Sequence, residues 1–350
     1  MKYSLIIPVY NRPDEVDELL DSLTRQTLHD FEVVVVEDGS AVPCRQVVDA
    51  YRERLSIQYH VKENGGPGRA RNYGAERAEG EWLIVLDSDV VLPDTYLEEV
   101  EQELTLQDCD AWGGPDRAHE SFTPKQKAIN YSMTGFFTTG GIRGGNDEQG
   151  GGKALDRFFP RSFNMGIRRE LYLQLQGFSD MRFGEDIDFS YRTVESGARC
   201  RLFPRAWVWH KRRTNWTRFY RQVHNSGIAR INLTKRHPGT LKLVHLAPAV
   251  FTLGVAGLLL LAVVLTVLAA LGKVGWLWPL LCLVPLLLFS LLILVDSTSR
   301  NRSFRIGMLS IVASYIQLGG YGMGFLQAWW LRCVCGRNEE LQAFRNTFYK

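Results

Sequence analysis

The sequence predicts an α/β domain with a mixed, mainly parallel central sheet, followed by transmembrane helices at its carboxyl end. In the first part of the 350-residue chain, strand-like apolar runs alternate with helical patterns, which is typical of a parallel sheet covered by helices. Further along, no Asp or Glu occurs between Glu195 and Asp296, and long uncharged stretches follow a dense group of Lys and Arg. These observations divide the chain into a polar domain at 1–238, a membrane domain at 246–331 and a tail at 332–350.

Four apolar runs have the length and composition of strands, and they lie at Leu5–Val9, Phe31–Val36, Ile57–Val61 and Trp82–Leu86. The first helix is predicted to begin at Pro13, because proline suits a first helical turn and the following apolar residues repeat at helical spacing. Seven glycines between Gly140 and Lys153 predict a flexible loop, which could close over a bound ligand as a lid or be a surface insertion.

Two segments are long and apolar enough to span a bilayer, which takes roughly 20 residues. They lie at 246–271 and 276–295, and neither contains a charged residue. The absence of charge within them argues against a transporter, whose substrate sites need polar groups in the membrane. A third candidate at 306–331 contains Gln317, Gln327 and several glycines. Spanning, re-entrant and flat arrangements all stay open for this third segment.

Basic residues flank the predicted spans, and such residues favour the cytoplasmic side. A dense basic group precedes the first span, while Arg300, Arg302 and Arg305 follow the second. We therefore expect an integral protein of the bacterial inner membrane with its polar domain in the cytoplasm. Met1 leads directly into a strand-like run, where we expect no signal peptide. The six Cys residues show neither disulfide nor zinc spacing, which agrees with a reducing, cytoplasmic environment.

Aromatic and apolar residues recur at helical spacing just before the first span, with basic residues between them: Trp216, Phe219, Tyr220 and Val223. This pattern predicts an amphipathic helix near 215–232 that lies at the membrane interface against anionic lipid. The alternative is a helix that packs on the preceding domain. No recognised nucleic-acid module accompanies the basic residues, so we expect membrane lipid, and no nucleic acid, as the partner here.

Polar residues follow the predicted strands, at the edge of a parallel sheet where ligands usually bind. Asp87 and Asp89, separated by Ser88, come directly after the strand Trp82–Leu86. Two carboxylates there can hold a divalent cation that also contacts diphosphate oxygens, although a solvated acidic turn explains them equally well. Neither a Rossmann glycine pattern after the first strand nor a Walker lysine loop occurs, which excludes ordinary dehydrogenases and ATPases.

Six short motifs occur in order along the polar domain. They are Pro8-Val9-Tyr10-Asn11, Glu37-Asp38-Gly39-Ser40, Asn64-Gly65-Gly66-Pro67-Gly68-Arg69-Ala70-Arg71-Asn72, Asp87-Ser88-Asp89, Phe163-Asn164-Met165-Gly166 and Gly184-Glu185-Asp186-Ile187-Asp188-Phe189. In order and spacing this set resembles the nucleotide-sugar glycosyltransferases of family 2, which have the GT-A fold. The resemblance covers most of residues 1–210 and implies a GT-A domain with a nucleotide-sugar donor.

The resemblance assigns the nucleotide to the strand-end loops. Pro8 and Tyr10 would line the pocket for the base, and Asp38 would accept a hydrogen bond from the base or ribose. Arg71 and the turn from Gly66 to Gly68 would approach the nucleotide. Each motif alone is also explained by a turn or a helix start, and only their combination favours the nucleotide.

The resemblance also implies a metal site for Mg²⁺ or Mn²⁺. Asp89 would be the direct ligand, Asp87 would contact ribose or metal, and Ser88 would lie against the nucleotide. His210 ends an apolar run that starts at Ala206, and it could complete the site through a ring nitrogen. A histidine at the end of a strand is nevertheless more often structural.

An acceptor hydroxyl that attacks a sugar must lose its proton, which calls for a carboxylate. By resemblance, Asp186 would be this general base, with Glu185 as the alternative, since adjacent carboxylates repel each other and one can titrate high. The same acids would also stabilise the first turn of a helix through its dipole.

Together these features imply an inverting glycosyltransferase of polysaccharide or glycolipid synthesis. It would transfer a sugar from a nucleoside-diphosphate sugar, with UDP expected first, to a lipid-linked or glycan acceptor near the membrane. The segment Arg221-Gln222-Val223-His224-Asn225 does not match the Q-x-x-R-W motif of processive synthases, so we do not expect polymer extrusion.

Two alternatives accompany this interpretation. Val90-Val91-Leu92-Pro93 departs from the pattern that follows the acidic motif of polyprenyl-phosphate sugar synthases, which makes that activity the second choice. A non-catalytic membrane-anchored nucleotide-sugar binding protein is less favoured, because such a protein has no chemical need for both pairs of carboxylates.

Overall fold

The computed structural model describes residues 1–117, 122–139, 159–181, 183–211, 215–337 and 339. The predicted glycine-rich loop at 140–153 and most of the predicted tail lie outside the described residues. The chain divides into two compact units. The first contains the described residues up to 117 and between 159 and 211, and the second contains 122–139 and 215 onward. From the sequence, the first domain was expected to continue to about residue 238.

Ten strands occur in the first unit: β1 (Tyr3–Val9), β2 (Phe31–Asp38), β3 (Ile57–Lys62), β4 (Trp82–Leu86), β5 (Val90–Val91), β6 (Ala111–Gly113), β7 (Asp116–Arg117), β8 (Asn164–Arg168), β9 (Cys200–Leu202) and β10 (Val208–His210). Seven of them form one sheet in the order β3-β2-β1-β4-β8-β6-β9. The first four in this order run parallel, while β8 is antiparallel to both of its neighbours. The predicted mixed, mainly parallel sheet and its four predicted strands are thus confirmed.

The α-helices of the described residues are α1 (Pro13–Thr24), α2 (Arg45–Tyr51), α3 (Pro67–Arg77), α4 (Tyr96–Leu106), α5 (Pro124–Thr134), α6 (Phe136–Thr139), α7 (Arg169–Gln174), α8 (Glu185–Glu195), α9 (Trp216–Arg236), α10 (Ala247–Ala270), α11 (Leu277–Asn301) and α12 (Phe304–Trp329). As predicted, α1 begins at Pro13, and its repeating apolar residues are buried.

Both faces of the large sheet are buried. Leu5 and Ile7 of β1 belong to the core that includes apolar residues of α1, α2 and α4, whereas Ile6 belongs to the core on the other face. That second core includes residues of α3, α7 and α8. Strands covered on both sides need apolar side chains at every position, which explains the continuous runs in the sequence.

A second, three-stranded sheet has the order β5-β10-β7. In it, β10 is antiparallel to β5 and parallel to β7. These strands are two or three residues long, too short for an alternation of side chains to mark them in the sequence.

The second unit contains α5, α6 and α9 to α12. Within the part of the chain that the structure describes, three helical segments are long and apolar enough to cross a membrane: Leu243–Ala270, Leu277–Asn301 and Phe304–Val334. The apolar residues Phe219 and Val223 of α9 are buried in a cluster with residues of α5 and α12. The predicted position of α9 at the membrane interface stays a prediction.

Candidate active site

Two aspartates and a histidine come together beyond the carboxyl end of β4. Asp87, Asp89 and His210 each offer one ligand atom, and these atoms lie within 4.8 Å of one another. The Nε2 atom of His210 is 3.2 Å from Oδ1 of Asp89 and 3.9 Å from Oδ2 of Asp87. The structure therefore brings together all three residues for which the sequence suggested a metal site.

The small sheet places His210 beside the acidic turn. His210 pairs with Val90, the residue that follows Asp89, and the backbone N–H of Lys211 donates to the carbonyl of Asp89 at 3.0 Å. The ring of His210 also stacks on Phe163, with 5.3 Å between the ring centroids. Residues far apart in sequence are thus fixed by a few backbone hydrogen bonds.

A third carboxylate lies on the other side of the imidazole. Oδ2 of Asp116, in β7, is 3.8 Å from Nδ1 of His210, because β7 runs beside β10. At this distance the carboxylate does not accept a hydrogen bond from the ring nitrogen, so Asp116 acts on His210 through its charge. Two carboxylates and an imidazole form a donor set that fits a divalent cation.

Arginine side chains neutralise the acidic groups of the site. Arg12 is ion-paired with Asp89. The buried Arg71 donates from Nη2 to Oδ1 of Asp87 at 2.7 Å and from Nη1 to Oε1 of Glu185 at 3.3 Å. Arg71 is therefore a bridge between the candidate metal ligands and the amino-terminal end of α8.

The two candidate bases, Glu185 and Asp186, are the first residues of α8. Their pKa values are shifted in opposite directions. Burial, together with the neighbouring charge of Asp186, raises the pKa of Glu185 above its ordinary value. Burial would also raise the pKa of Asp186, but the guanidinium of Arg161, whose Nε is 2.7 Å from Oδ2 of Asp186, lowers it instead. Asp186 is thus ionised over the wider range of pH, as a general base must be before it accepts a proton.

The loop after β3 surrounds the side chain of Asp38. Backbone N–H groups of Gly65 and Gly66 donate to its two carboxylate oxygens at 2.9 and 2.8 Å, and Nζ of Lys62 donates at 2.7 Å. Gly66 has φ +93° at the start of α3, a conformation that favours glycine. This part of the site is therefore held in place by the chain's own hydrogen bonds.

The remaining predicted nucleotide residues lie on the same strand ends. Pro8 pairs with Val36 in the sheet, Tyr10 directly follows β1, and Ser88 is buried in the turn after β4. A Cβ atom on Gly68 would lie 3.4 Å from Cγ of Glu185, so this glycine is adjacent to α8. The contacts of these residues with a nucleotide stay predictions.

Sequence reasoning missed Arg12, Lys62, Asp116 and Arg161. Arg12 lies in the loop between β1 and α1, and Lys62 ends β3, so the rule that ligands bind at strand ends could have singled them out. Asp116 lies in a strand of two residues, and Arg161 in a loop before β8. No spacing in the sequence connects either of them with its partner.

Comparison with known proteins identifies relatives of the first part of the chain. Residues 4–175 match the family described as glycosyl transferase family 2. TarS of Staphylococcus aureus, a poly(ribitol-phosphate) beta-N-acetylglucosaminyltransferase, is 43% identical over 93 residues, which are 25% of this chain and 16% of TarS. EpsJ of Bacillus subtilis, an uncharacterized glycosyltransferase, is 27% identical over 208 residues, which are 57% of this chain and 58% of EpsJ. The chain thus covers only a small part of TarS.

A solved structure shares the fold over most of the chain. The mannosyltransferase PcManGT from Pyrobaculum calidifontis, in complex with GDP-Man and Mn²⁺, gives a TM-score of 0.59 at 18% identity. The similarity covers 91% of this chain and 86% of that one. Residues 4–175 are therefore a glycosyl transferase family 2 domain on a GT-A-like fold.

Proposed function

We propose that the protein is an inverting glycosyltransferase that uses a divalent metal, Mg²⁺ or Mn²⁺, and a nucleoside-diphosphate sugar. The acceptor is a lipid-linked or glycan molecule near the membrane, in cell-surface polysaccharide or glycolipid synthesis. One observation carries the proposal: Arg71 contacts both Asp87, in the candidate metal group, and Glu185, next to the candidate base. A metal-binding half and a base half therefore belong to a single site.

Each half has a separate task in this reaction. Asp87, Asp89 and His210 hold the ion, which when bound neutralises the negative charge of the departing diphosphate. Asp186 accepts the proton of the acceptor hydroxyl as that oxygen bonds to the anomeric carbon. The bond from this carbon to the diphosphate oxygen breaks in the same displacement, so the configuration at the carbon inverts.

The nucleotide occupies the strand-end loops in this proposal. Pro8 and Tyr10 lie against the base, Asp38 accepts from the base or ribose, and Gly66, Gly68, Arg71 and Ser88 approach the rest of the nucleotide. Relatives named as N-acetylglucosaminyl- and glucosyltransferases support transfer of a hexose-type sugar. GDP-Man and Mn²⁺ in PcManGT support a nucleotide sugar and a divalent ion. We expect UDP as the carrier.

The test is release of nucleoside diphosphate from a panel of nucleotide sugars by the detergent-solubilised protein, with and without Mn²⁺. We expect metal-dependent release from one donor, and a loss of roughly 100-fold or more in Asp89→Asn, because a metal ion contributes several kcal/mol of charge stabilisation. Asp94→Asn is the matched control, since Asp94 is exposed and pairs with Arg25.

Two results would contradict the proposal. Release that is unchanged in Asp89→Asn would remove the metal site from the reaction. Binding of a nucleotide sugar by calorimetry, without release in the presence of membrane extracts that supply acceptors, would favour the non-catalytic binding protein.

A further inference from the structure

The last apolar helix differs from the two before it. Its most apolar stretch has a mean hydropathy of 1.2 and is 50% buried inside the protein. The corresponding stretches of α10 and α11 have values of 2.7 and 2.6 and are 6% and 17% buried. One side of α12 is therefore covered by protein, whereas α10 and α11 are largely exposed, as lipid-facing helices are.

The amino-terminal half of α12 is covered by α5. Ile306 and Ala313 of α12 belong to one buried cluster with Ala128 and Ile129 of α5. With only 11 residues and two lysines in its sequence, α5 is too short and too polar to cross a bilayer.

A charged group lies beside this contact. The hydroxyl of Tyr131, in α5, donates to Asp296 of α11 at 2.6 Å, and Nε of Arg300 donates to the same carboxylate at 3.1 Å. Charged groups are costly in hydrocarbon, so α5 and this end of α11 belong at the membrane surface.

The carboxyl-terminal half of α12 is covered by α9 at very short range. A Cβ atom on Gly324 would lie 2.0 Å from the carbonyl oxygen of His224, and one on Gly227 would lie 2.2 Å from that of Tyr321. Only glycine permits backbones to approach so closely.

The contact continues beyond the end of α12. Lys235 of α9 donates to the carbonyl of Arg332 at 2.7 Å, and Arg332 donates to Oδ1 of Asn232 at 2.6 Å. The far end of α12 is thus held by polar groups of α9.

Like α5, α9 cannot cross a bilayer. It contains five basic residues: Arg218, Arg221, Arg230, Lys235 and Arg236. Each would cost roughly 2.5–3.5 kcal/mol at the centre of a membrane helix. Phe219 and Val223 of α9 pack in the same cluster as the α5 residues, so α5 and α9 form one layer over α12. Since this layer covers α12 from Ile306 to Arg332, both ends of α12 lie on the same side of the membrane.

The exposed side chains of α12 are mostly apolar. Phe304, Met308, Val312, Met323 and Trp329 are exposed, and the exposed polar residues Arg305 and Gln327 lie in its first and last turns. A helix with polar helices on one face and an exposed apolar stripe on the other suits the boundary between headgroups and acyl chains.

We propose that α12 lies in the plane of the membrane interface, with one side packed on α5 and α9 and its apolar stripe in the lipid. The bilayer is the partner that this stripe fits, because α10 and α11, which pack against α12 through Phe251, Phe289 and Tyr315, present continuous lipid-facing surfaces beside it. The protein then has two membrane spans, and the residues after α12 return to the side on which α9 lies.

Native cysteines make this arrangement testable in the full-length protein. Cys333 and Cys335 are exposed directly after α12, while the other four cysteines are buried. Sealed membrane vesicles of both orientations are treated with a membrane-impermeant maleimide. We expect Cys333 and Cys335 to be labelled from one face only, the face that also labels Thr217→Cys at the exposed start of α9.

The reference for the opposite face of the membrane is Lys273→Cys, in the exposed turn between α10 and α11. Both introduced cysteines, at 217 and 273, are placed in a Cys333→Ser, Cys335→Ser background so that no other exposed cysteine is labelled. Labelling of Cys333 and Cys335 only from the face of residue 273 would overturn the proposal. An epitope tag after Lys350, digested by protease in the same vesicles, gives a second readout. Digestion from the face of residue 217 supports the proposal, and digestion from the face of residue 273 contradicts it.

Discussion

The Nε atom of Arg161 lies 2.7 Å from Oδ2 of Asp186, which is the carboxylate that we propose as the general base. The ion pair uses one oxygen of the carboxylate and keeps Asp186 ionised. It also weakens Asp186 as a base, because a guanidinium favours the charged form of its partner. The pKa of the adjacent Glu185 is raised instead, by burial and by the charge of Asp186. Arg161 therefore favours the ionised form of Asp186.

Arg161→Gln tests this relationship through the pH dependence of the reaction. Arg161 lowers the pKa of Asp186, so in the wild type the acidic limb of kcat/KM lies below the ordinary range of aspartate. Without the guanidinium, the pKa of Asp186 rises and the acidic limb moves to higher pH. Activity is then lost more strongly at pH 5 than at pH 8.

Two further variants separate charge from structure. Arg161→Lys retains the positive charge and is expected to return the acidic limb toward the wild-type position, whereas Arg25→Gln, on the exposed surface, leaves it unchanged. Superimposable pH profiles of Arg161→Gln and the wild type would show that Arg161 does not act on the base.

Asp186→Asn and Glu185→Gln distinguish the two candidate bases. We expect Asp186→Asn to lower the rate of transfer by roughly 10²–10⁴-fold, the usual contribution of general base catalysis. Glu185→Gln should have a smaller effect, since the raised pKa of Glu185 keeps more of it protonated. Initial rates of nucleoside diphosphate release measure both, and calorimetry with the nucleotide should give near wild-type affinity for each. A larger loss in Glu185→Gln would transfer the role of base to Glu185.

The sequence predicted the half of the site that depends on parallel strands. Asp38 and the Asp87 to Asp89 turn could be placed together because β2 and β4 both flank β1, and the carboxyl ends of parallel strands meet at one edge. His210 was a weak candidate because its position depends on pairing with the two-residue strand β5. Such short strands have no periodicity, so tertiary contacts alone create them.

In the second unit, too, some elements could be predicted from the sequence and others could not. Composition alone predicted α10 and α11, since a bilayer demands a long uncharged segment. The position of α5 was not foreseen, because its 11 residues interrupt the sequence of the first domain and yet pack with α9 and α12. Arg161 was missed for a comparable reason, since a single arginine in a loop has no pattern.

Asp116→Asn tests the support behind the candidate metal ligand His210. Asp116 lies 3.8 Å from Nδ1 of His210 and does not belong to the group of three ligand atoms. Loss of its charge should weaken the electrostatic attraction of the site for a cation. Carboxylates that accept a hydrogen bond from the ligand typically contribute 10–100-fold to metal affinity, and Asp116, which is too distant for that bond, should contribute toward the lower end of this range. We expect the Kd for Mn²⁺, measured by electron paramagnetic resonance, to rise within that range, and Asp94→Asn to leave it unchanged. An unaltered Kd in Asp116→Asn would exclude a supporting role.

The motif that contains Asn164 has a structural explanation. Asn164 is fully buried, accepts a hydrogen bond from the hydroxyl of Tyr96 at 2.6 Å, and donates to the carbonyl of Ala206 at 2.8 Å. It thereby connects β8 to α4 and to the chain that leads into β10. Asn164→Ala would leave the buried hydroxyl and the buried carbonyl without these partners, so we expect a loss of about 3 kcal/mol in the free energy of unfolding.

A double-mutant cycle with Tyr96→Phe isolates the hydrogen bond between the two side chains. Tyr96→Phe removes the donor and leaves Oδ1 of Asn164 unpaired, at a cost of about 1–3 kcal/mol. Once Asn164 is already alanine, the same change removes a hydroxyl that has lost its partner, and the cost should fall. Denaturation of the four proteins in one detergent should therefore give a coupling energy of about 1 kcal/mol. Strictly additive losses would mean that this hydrogen bond does not stabilise the fold, and the role of Asn164 would then rest on its bond to Ala206.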